Sequence, residues 1–305
     1  MIPIALTIAA ATAAGFGVEH RLGELPAQRA ANFVARAMLW VLIPPVVFFN
    51  IADLHLTAGV GAGLAFGWLA LGVSMGVAYA IGRWVLHLSR PSTGALMLAA
   101  GMGNTGYLGV PFTAALFGLD DVGDALAFDI AVSGMALLTV AFAVGAAFGT
   151  FAERRRDRVV GFFTRNPALW AFFLALVAPA ALAPEWAVDA SQILVFAMLP
   201  LGFFVVGVAL AVEAEEGAVK FPPPLTLPVA VALGLKLLLF PAVVVVLSTL
   251  IIDVPDPYIS QAAMASGINS VLIAHAYGLD RSLAASAIAW STTIVVAAGL
   301  VVALV

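Results

Sequence analysis

Ten long apolar stretches occupy most of this chain, and their length limits the folds that it can adopt. A helix needs about 20 apolar residues to cross the hydrocarbon core of a bilayer. The predicted spans are residues 1–17, 31–52, 59–86, 92–117, 124–149, 166–182, 191–212, 225–252, 258–278 and 282–305. Only 10% of the residues are charged, against about 25% in soluble domains. Strands of an outer-membrane barrel would alternate apolar and polar residues, and the sequence lacks that pattern. We therefore predict an all-α integral membrane protein.

The basic residues indicate how these spans are oriented. All but Lys236 of the 13 Lys and Arg residues lie in or next to the odd-to-even loops: Arg21, Arg29, Arg36, Arg83, Arg90, Arg154, Arg155, Arg156, Arg158, Arg165, Lys220 and Arg281. Short cytoplasmic loops collect Lys and Arg. We expect those loops in the cytoplasm and both termini outside it, in the cell (inner) membrane.

Similar strings recur in the two halves of the chain. The string LIPPVVFF at 42–49 is matched by MLPLGFF at 198–204, and LFGLD at 116–120 by AYGLD at 276–280. Ten spans with both termini on one side divide into five plus five, and an odd number inverts the second half. Inverted repeats are typical of secondary transporters. We predict one repeat over 1–152 (spans 1–5) and a second over 153–305 (spans 6–10).

Spans four and nine are interrupted at matching places, which points to the binding site of a transporter. Residues 101–111 read GMGNTGYLGVP, and residues 265–270 read ASGINS. Four glycines and Pro111 weaken the first helix, and we expect it to break within this stretch. Broken helices expose N–H groups with partial positive charge, which suits a carboxylate. The candidate substrate-binding residues are Asn104, Thr105, Gly106, Tyr107, Pro111, Ser266, Gly267, Asn269 and Ser270.

Three ionisable residues within the spans are candidates for ion coupling or charge, because such residues are costly in a bilayer. Lys236 lies near the middle of span eight and would attract an anion, replace a coupling cation, or pair with Asp129 to fix two helices. Asp129 is expected about one turn inside span five, where the alternative is that it reaches the interface. His275 follows the second interruption by two turns, with the cytoplasmic surface as its alternative.

Several other functions are disfavoured by what the sequence lacks. There is no cysteine, no HExxH zinc motif, no P-loop and no dinucleotide-binding fingerprint. No nucleophile–base pair or paired aspartates can be identified, so we expect neither an enzyme, nor a metal site, nor a cofactor. The basic loop around residues 154–158 sets topology and contacts anionic lipid, and nucleic-acid binding is not expected.

The chain resembles the auxin efflux carrier family, which includes plant PIN proteins and bacterial malonate and malate permeases. The resemblance covers nearly the whole length, and NTGYLGVP at 104–111 is its most specific part. It also includes the stretch from Gly15 through Arg21 and Asn32 to LIP at 42–44, PLGFFVVG at 200–207, LKLLLFP at 235–241, AAM at 262–264 running to Asn269, and AYG at 276–278.

The resemblance implies a fold shared with bile acid sodium symporters. Spans 1, 2, 6 and 7 would form a scaffold, and spans 3–5 and 8–10 a transport domain whose broken helices 4 and 9 cross at the centre. Substrate would move by an elevator mechanism, and the scaffold would form a homodimer. Asn104 and Asn269 would fall at the crossing. The family commonly has proline four residues before the second asparagine, where this chain has Ala265.

The first functional hypothesis is a secondary transporter for a small organic anion, such as a mono- or dicarboxylate. The alternative is a sodium-coupled symporter of bile-acid-like amphipathic anions, whose sodium ligands would include Thr105, Asp129 and Ser133. A third hypothesis, a membrane module that does not transport, predicts no aqueous cavity. H⁺ and Na⁺ both stay open as coupling ions.

Overall fold

A computed structural model describes residues 2–54, 57–150, 167–215 and 223–302. Its helices are α1 (Ile2–Leu22), α2 (Glu24–Ala52), α3 (Ala58–Val85), α4 (Arg90–Gly101), α5 (residues 105–116), α6 (Val122–Phe148), α7 (Pro167–Val177), α8 (Glu185–Glu215), α9 (Leu227–Leu250), α10 (Asp256–Ala262), α11 (Asn269–Tyr277) and α12 (Arg281–Val302). Within the described ranges there is no strand, and the only β-type pairing is one isolated bridge.

Six of the described helices are long and apolar enough to cross a membrane: α2, α3, α6, the Glu185–Val205 part of α8, α9 and α12. The prediction of an all-α membrane protein is therefore confirmed. Each of the ten predicted spans contains helix, although α7 is short. The ten-span count and the inverted repeat stay predictions. The basic residues at 154–165 and Lys220 lie outside the described residues.

Proline residues follow π-helical turns at three places in the bundle. Such turns cover Met38–Leu42, Thr105–Gly109 and Leu235–Leu239, and each ends two residues before a proline. Proline lacks an N–H and its ring clashes with the preceding turn. A π-turn is wider, so the helix continues through these prolines.

The interruption of span four lies within the expected stretch 101–111, near its start and not at Pro111. Pro111 is buried inside the continuous helix α5, and the interruption lies upstream, at residues 102–104. At the interruption, the Met102 carbonyl and the Asn104 amide bond to a distant segment of the chain, residues 265–267.

The largest apolar core joins α3, α4, α6, α9, α10, α11 and α12, with Ala70, Leu96, Ala136, Ala232 and Ala284 fully buried in it. A second core contains residues of α2, α5, α6, α7 and α8. Helix α6 therefore contributes to both cores, whereas α5 contributes to the second one and not to the first.

Candidate functional site

Two interrupted segments, residues 102–104 and 263–268, meet each other in the interior. Gly103 and Ser266 form an antiparallel bridge. The Asn104 amide donates to the Ala265 carbonyl at 2.8 Å, and the Gly267 amide donates to the Met102 carbonyl at 2.9 Å. Unpaired backbone groups are costly in a lipid environment. The two interruptions therefore satisfy each other, and neither would be stable alone.

Glycine at position 267 allows this close approach. A Cβ atom there would lie 2.7 Å from the Gly103 carbonyl oxygen, which is closer than a Cβ atom can approach another heavy atom without a shift. The crossing therefore requires glycine at position 267. The position where the family commonly has proline is Ala265, so the interruption here does not depend on a proline.

Two candidate serines bind the end of α4 instead of facing a cavity. The Ser266 hydroxyl donates to the Ala99 carbonyl at 2.7 Å, and the Ser270 hydroxyl donates to the Leu98 carbonyl at 3.3 Å. Both side chains are fully buried. These carbonyls belong to the last turn of α4, where helical partners run out. The structure therefore gives both hydroxyls a capping role.

A cavity of about 180 Å³ lies beside the crossing. Its polar lining comes from both interruptions and from α6. The lining candidates are Asn104, Thr105, Gly106, Tyr107, Asp129 and Asn269, with Ser133 beside them. An apolar cavity of about 150 Å³ holds one benzene, so this space suits a small molecule.

The first turns of α5 and α11 both line this cavity. Asn104 precedes α5, Asn269 begins α11, and neither helix start has a side-chain hydrogen-bond cap. Asn104 is only 4% exposed, and its Nδ2 atom has no hydrogen-bond partner within the described residues. Helix N-termini carry partial positive charge. The cavity therefore presents N–H donors to whatever occupies it.

Asp129, one of the ion-coupling candidates, lies at this cavity. Its carboxylate accepts a hydrogen bond from the Thr105 hydroxyl. A Cβ atom on Gly106 would lie 3.1 Å from Asp129 Oδ2, so the glycine gives the carboxylate access to the α5 backbone. The cavity therefore combines donors with one acidic group.

Lys236 is 1% exposed and does not line the cavity. Its ammonium donates to the Ala262 carbonyl at 2.9 Å and lies 4.1 Å above the Phe240 ring. A Cβ atom on Gly103 would be 3.5 Å from Nζ. In the described structure Lys236 forms no ion pair with Asp129, so the suggested pairing is wrong.

Two further candidates lie away from the cavity. His275 is exposed and its Nδ1 atom lies 3.1 Å from an Arg281 guanidinium nitrogen. Pro111 is buried in α5 and does not line the cavity. Among the described residues, no three His, Cys, Asp or Glu side chains converge to hold a metal ion.

The apolar wall of the cavity was missed by sequence reasoning. Ile43, Val46 and Val47 of α2 and Met198 of α8 form part of it. They belong to the matched strings at 42–49 and 198–204, which were read only as a sign of repetition. The match between these two strings was the one feature of the sequence that could have pointed to these residues as part of the site.

Comparison with known proteins relates one part of the chain to a family. A search of curated proteins found no match. A family model described as "Membrane transport protein" matches residues 163–302. That region contains α7 to α12, including the second interruption, while the first interruption carries the most specific string of the resemblance. This match supports membership of the membrane transport protein family, which includes the auxin efflux carriers.

Proposed function

We propose that this protein is a carrier for a small organic anion and binds the carboxylate beside the crossing. One observation carries the proposal: two mutually bonded interruptions place two uncapped helix starts and the side chains of Asn104 and Asn269 at one small cavity. Helix N-termini favour anions through their free N–H groups and their partial positive charge. The buried Asn104 amide adds an unused donor.

Lys236 supports anion binding by its charge, although it does not line the cavity. Its ammonium donates to the Ala262 carbonyl at the end of α10 and lies 3.5 Å from the place where a Cβ on Gly103 would be. A buried charge acts over a longer distance than an exposed one, because screening is weaker. Lys236 thus contributes positive charge where a coupling cation would otherwise be needed, without occupying the cavity.

The packing supports an elevator movement. The largest core joins the helices of predicted spans 3–5 and 8–10 and contains no residue of α1, α2, α7 or α8. The cavity lies between these groups, with α5 and α6 on one side and Val46, Val47 and Met198 on the other. A rigid group that carries Asn104 and Asn269 past α2 and α8 would expose the anion to each side in turn.

A sodium-coupled symporter remains the second candidate because Thr105, Asp129 and Ser133 line the same cavity. Oxygen ligands of this kind suit hard cations. The cavity volume of about 180 Å³ favours a small anion over a bile-acid-like one. The carboxylate of Asp129 would repel a bound anion, so we expect H⁺ or Na⁺ to neutralise Asp129 when the anion binds.

Uptake into liposomes tests the proposal. The purified chain should take up labelled mono- or dicarboxylates, and Asn104→Ala should abolish uptake while the protein stays folded, because Nδ2 makes no hydrogen bond in the described structure. Asn32→Ala is the matched control, since Asn32 is exposed in α2 and away from the cavity. Undiminished uptake by Asn104→Ala would overturn the site.

The same assay separates the two candidate functions. Uptake of small carboxylates that is unchanged when sodium is replaced by potassium supports the first. Sodium-dependent uptake restricted to larger amphipathic anions would favour the second.

A further inference from the structure

A cavity of about 400 Å³ lies at the end of the bundle that the charge pattern predicts to face the cytoplasm. It lies between the end of α3, the start of α4 and the end of α6, and it shares no lining residue with the cavity at the crossing. Two arginines line it, Arg83 near the end of α3 and Arg90 at the start of α4. The other lining residues are Tyr79, Leu88, Thr93 and Phe148. The lining is therefore basic and aromatic and contains no acidic residue.

A tight connection between α3 and α4 brings the two arginines to one cavity. Helix α3 ends at Val85 in a π-helical turn, and the Leu88 amide donates to the Gly82 carbonyl at 2.9 Å. His87 adopts a left-handed backbone conformation with a φ of 48°, which is uncommon for a residue other than glycine. The chain therefore reverses within residues 86–89.

Most N–H groups of these two arginines are unused in the described structure. Arg90 donates through Nη2 to the Ala147 carbonyl, and Arg83 has no hydrogen-bond or ion-pair partner among the described residues. Each guanidinium carries five N–H donors, so one bond to a carbonyl leaves the other donors of Arg90 available. Both side chains are exposed, and a ligand in the cavity can reach them.

Among the described residues, no carboxylate neutralises this pair of arginines. Residues 79–93 contain neither Asp nor Glu. Asp280 packs beside the start of α4, but it does not line the cavity. Its carboxylate accepts hydrogen bonds from the Ser92 hydroxyl at 2.8 Å and from the Leu283 amide at 3.0 Å. The positive charge of the cavity is therefore available to an anionic ligand.

The surroundings of the arginines indicate which anion fits. Guanidinium groups match the geometry of phosphate. The Tyr79 ring packs edge-on against Trp84 and Phe148, with centroids 5.7 and 5.9 Å apart. Trp84 and Val85, which follow Arg83, are 66% and 67% exposed, and Trp and Tyr are enriched at the headgroup level of membranes. Basic pockets between membrane helices on the cytoplasmic side bind anionic lipid headgroups. A phosphate that carries acyl chains satisfies both the arginines and the exposed apolar end of α3, whereas a free phosphate satisfies the arginines alone.

We propose that this cavity binds the phosphate group of an anionic phospholipid, whose acyl chains lie along the exposed end of α3 at Trp84 and Val85. The guanidinium groups of Arg83 and Arg90 donate hydrogen bonds to the phosphate oxygens. The lipid therefore attaches to helices that form the largest core, away from the substrate cavity. This site goes beyond the proposed function, since it requires neither transport nor a particular substrate.

Thermal unfolding of the purified full-length chain in detergent tests the proposal, with short-chain phosphatidylglycerol as the ligand. We expect a saturable rise of the unfolding temperature, because a ligand that binds the folded state stabilises it. Phosphatidylcholine with the same chains has a phosphate but no net charge, and it should give little rise. Arg83→Gln and Arg90→Gln should each raise the phosphatidylglycerol concentration at the midpoint about tenfold, because each removes charge-assisted hydrogen bonds. Arg29→Gln is the control, since it removes an exposed arginine of α2 on the same predicted side, away from the cavity.

Two further measurements make the result decisive. Without lipid, Arg83→Gln should unfold at the temperature of the unmodified chain, because Arg83 makes no bond within the described structure. Glycerol phosphate has the headgroup without the chains, so equal stabilisation by it and by phosphatidylglycerol, lost in Arg83→Gln, would assign the cavity to a soluble anion and overturn the proposal. Equal stabilisation by the two phospholipids, an unchanged midpoint in Arg83→Gln, or an equal loss in Arg29→Gln would overturn it as well.

Discussion

The polar side chains around the crossing have different roles. Ser266 and Ser270 donate to carbonyls of α4, whereas the Asn104 amide is unused within the described structure. A hydroxyl that already has a partner stabilises the fold, typically by about 1 kcal/mol. A buried donor without one is costly unless a ligand satisfies it. Asn104 therefore remains the strongest binding candidate, and the two serines are better explained as caps.

Lys236 offers a test of charge at the scale of one residue. Lys236→Met keeps an unbranched side chain of similar volume but removes the ammonium. Replacing buried charge by an apolar group is often neutral or stabilising by about 1–4 kcal/mol, so thermal unfolding should not shift downward. Anion affinity should fall about tenfold, equivalent to about 1.4 kcal/mol. Concentration-dependent uptake measures this, and unchanged affinity would leave Lys236 with a packing role alone.

The sequence predicted some residues of the site but not how they are arranged. Asn104 and Asn269 were identifiable because Gly-rich interruptions at matching places are unusual in apolar spans. Which side chains face the cavity depends on the rotation of each helix, so Ser266 and Ser270 could not be distinguished from Asn269. Asp129 looked peripheral because its depth was judged from its position within span five alone.

At the scale of elements, the interruptions depend on backbone pairing more than on proline. Pro111 and Pro241 follow π-turns inside continuous helices, while the true break at residues 102–104 contains no proline. Local propensity indicated a weak helix but could not locate the break, because the register of Gly103 against Ser266 is set by contact between distant segments.

Gly267→Ala tests this pairing directly. The added Cβ would meet the Gly103 carbonyl oxygen at 2.7 Å, and a backbone atom cannot move aside as a flexible side chain does. Overpacking of this kind destabilises by about 1–3 kcal/mol, and uptake should fall with it. Gly234→Ala is the control: no atom lies within 4 Å of its Cβ, and alanine favours helix there. Thermal unfolding in detergent should drop for the first variant only.

At the scale of the whole molecule, the division of the core into helix groups predicts relative movement. Tyr107 of α5 lies against Gly202 of α8, where a Cβ on Gly202 would be 3.1 Å from the Tyr107 Cβ. Disulfides join Cβ atoms about 3.5–4.5 Å apart, so a cross-link here requires the two Cβ atoms to move apart by about 0.4 Å. The chain has no cysteine of its own, so two introduced cysteines would form a single defined cross-link.

The double variant Tyr107→Cys/Gly202→Cys should transport anion when reduced and much less when oxidised, because the cross-link joins the two helix groups. Each single variant should respond little to oxidant. Equal uptake by the oxidised and reduced double variant would show that α5 and α8 need not separate during transport.

The sequence predicted the class of the molecule and the helical content of its spans, because lipid leaves few choices for a chain that is 63% hydrophobic. It did not predict that α6 contributes to both cores, since apolar residues look alike wherever they are buried. Helices α2 and α8 therefore appeared only as repeats, although their side chains form the wall of the cavity.

Ligand-dependent thermal unfolding of the purified chain tests the central claim most directly, since a ligand that binds the folded state raises its apparent stability. Small mono- or dicarboxylates should raise the unfolding temperature in a saturable way, their uncharged amides should not, and Asn104→Ala should remove the effect. An equal shift by the amides, or an undiminished shift in Asn104→Ala, would contradict an anion site at the crossing of the two interrupted segments.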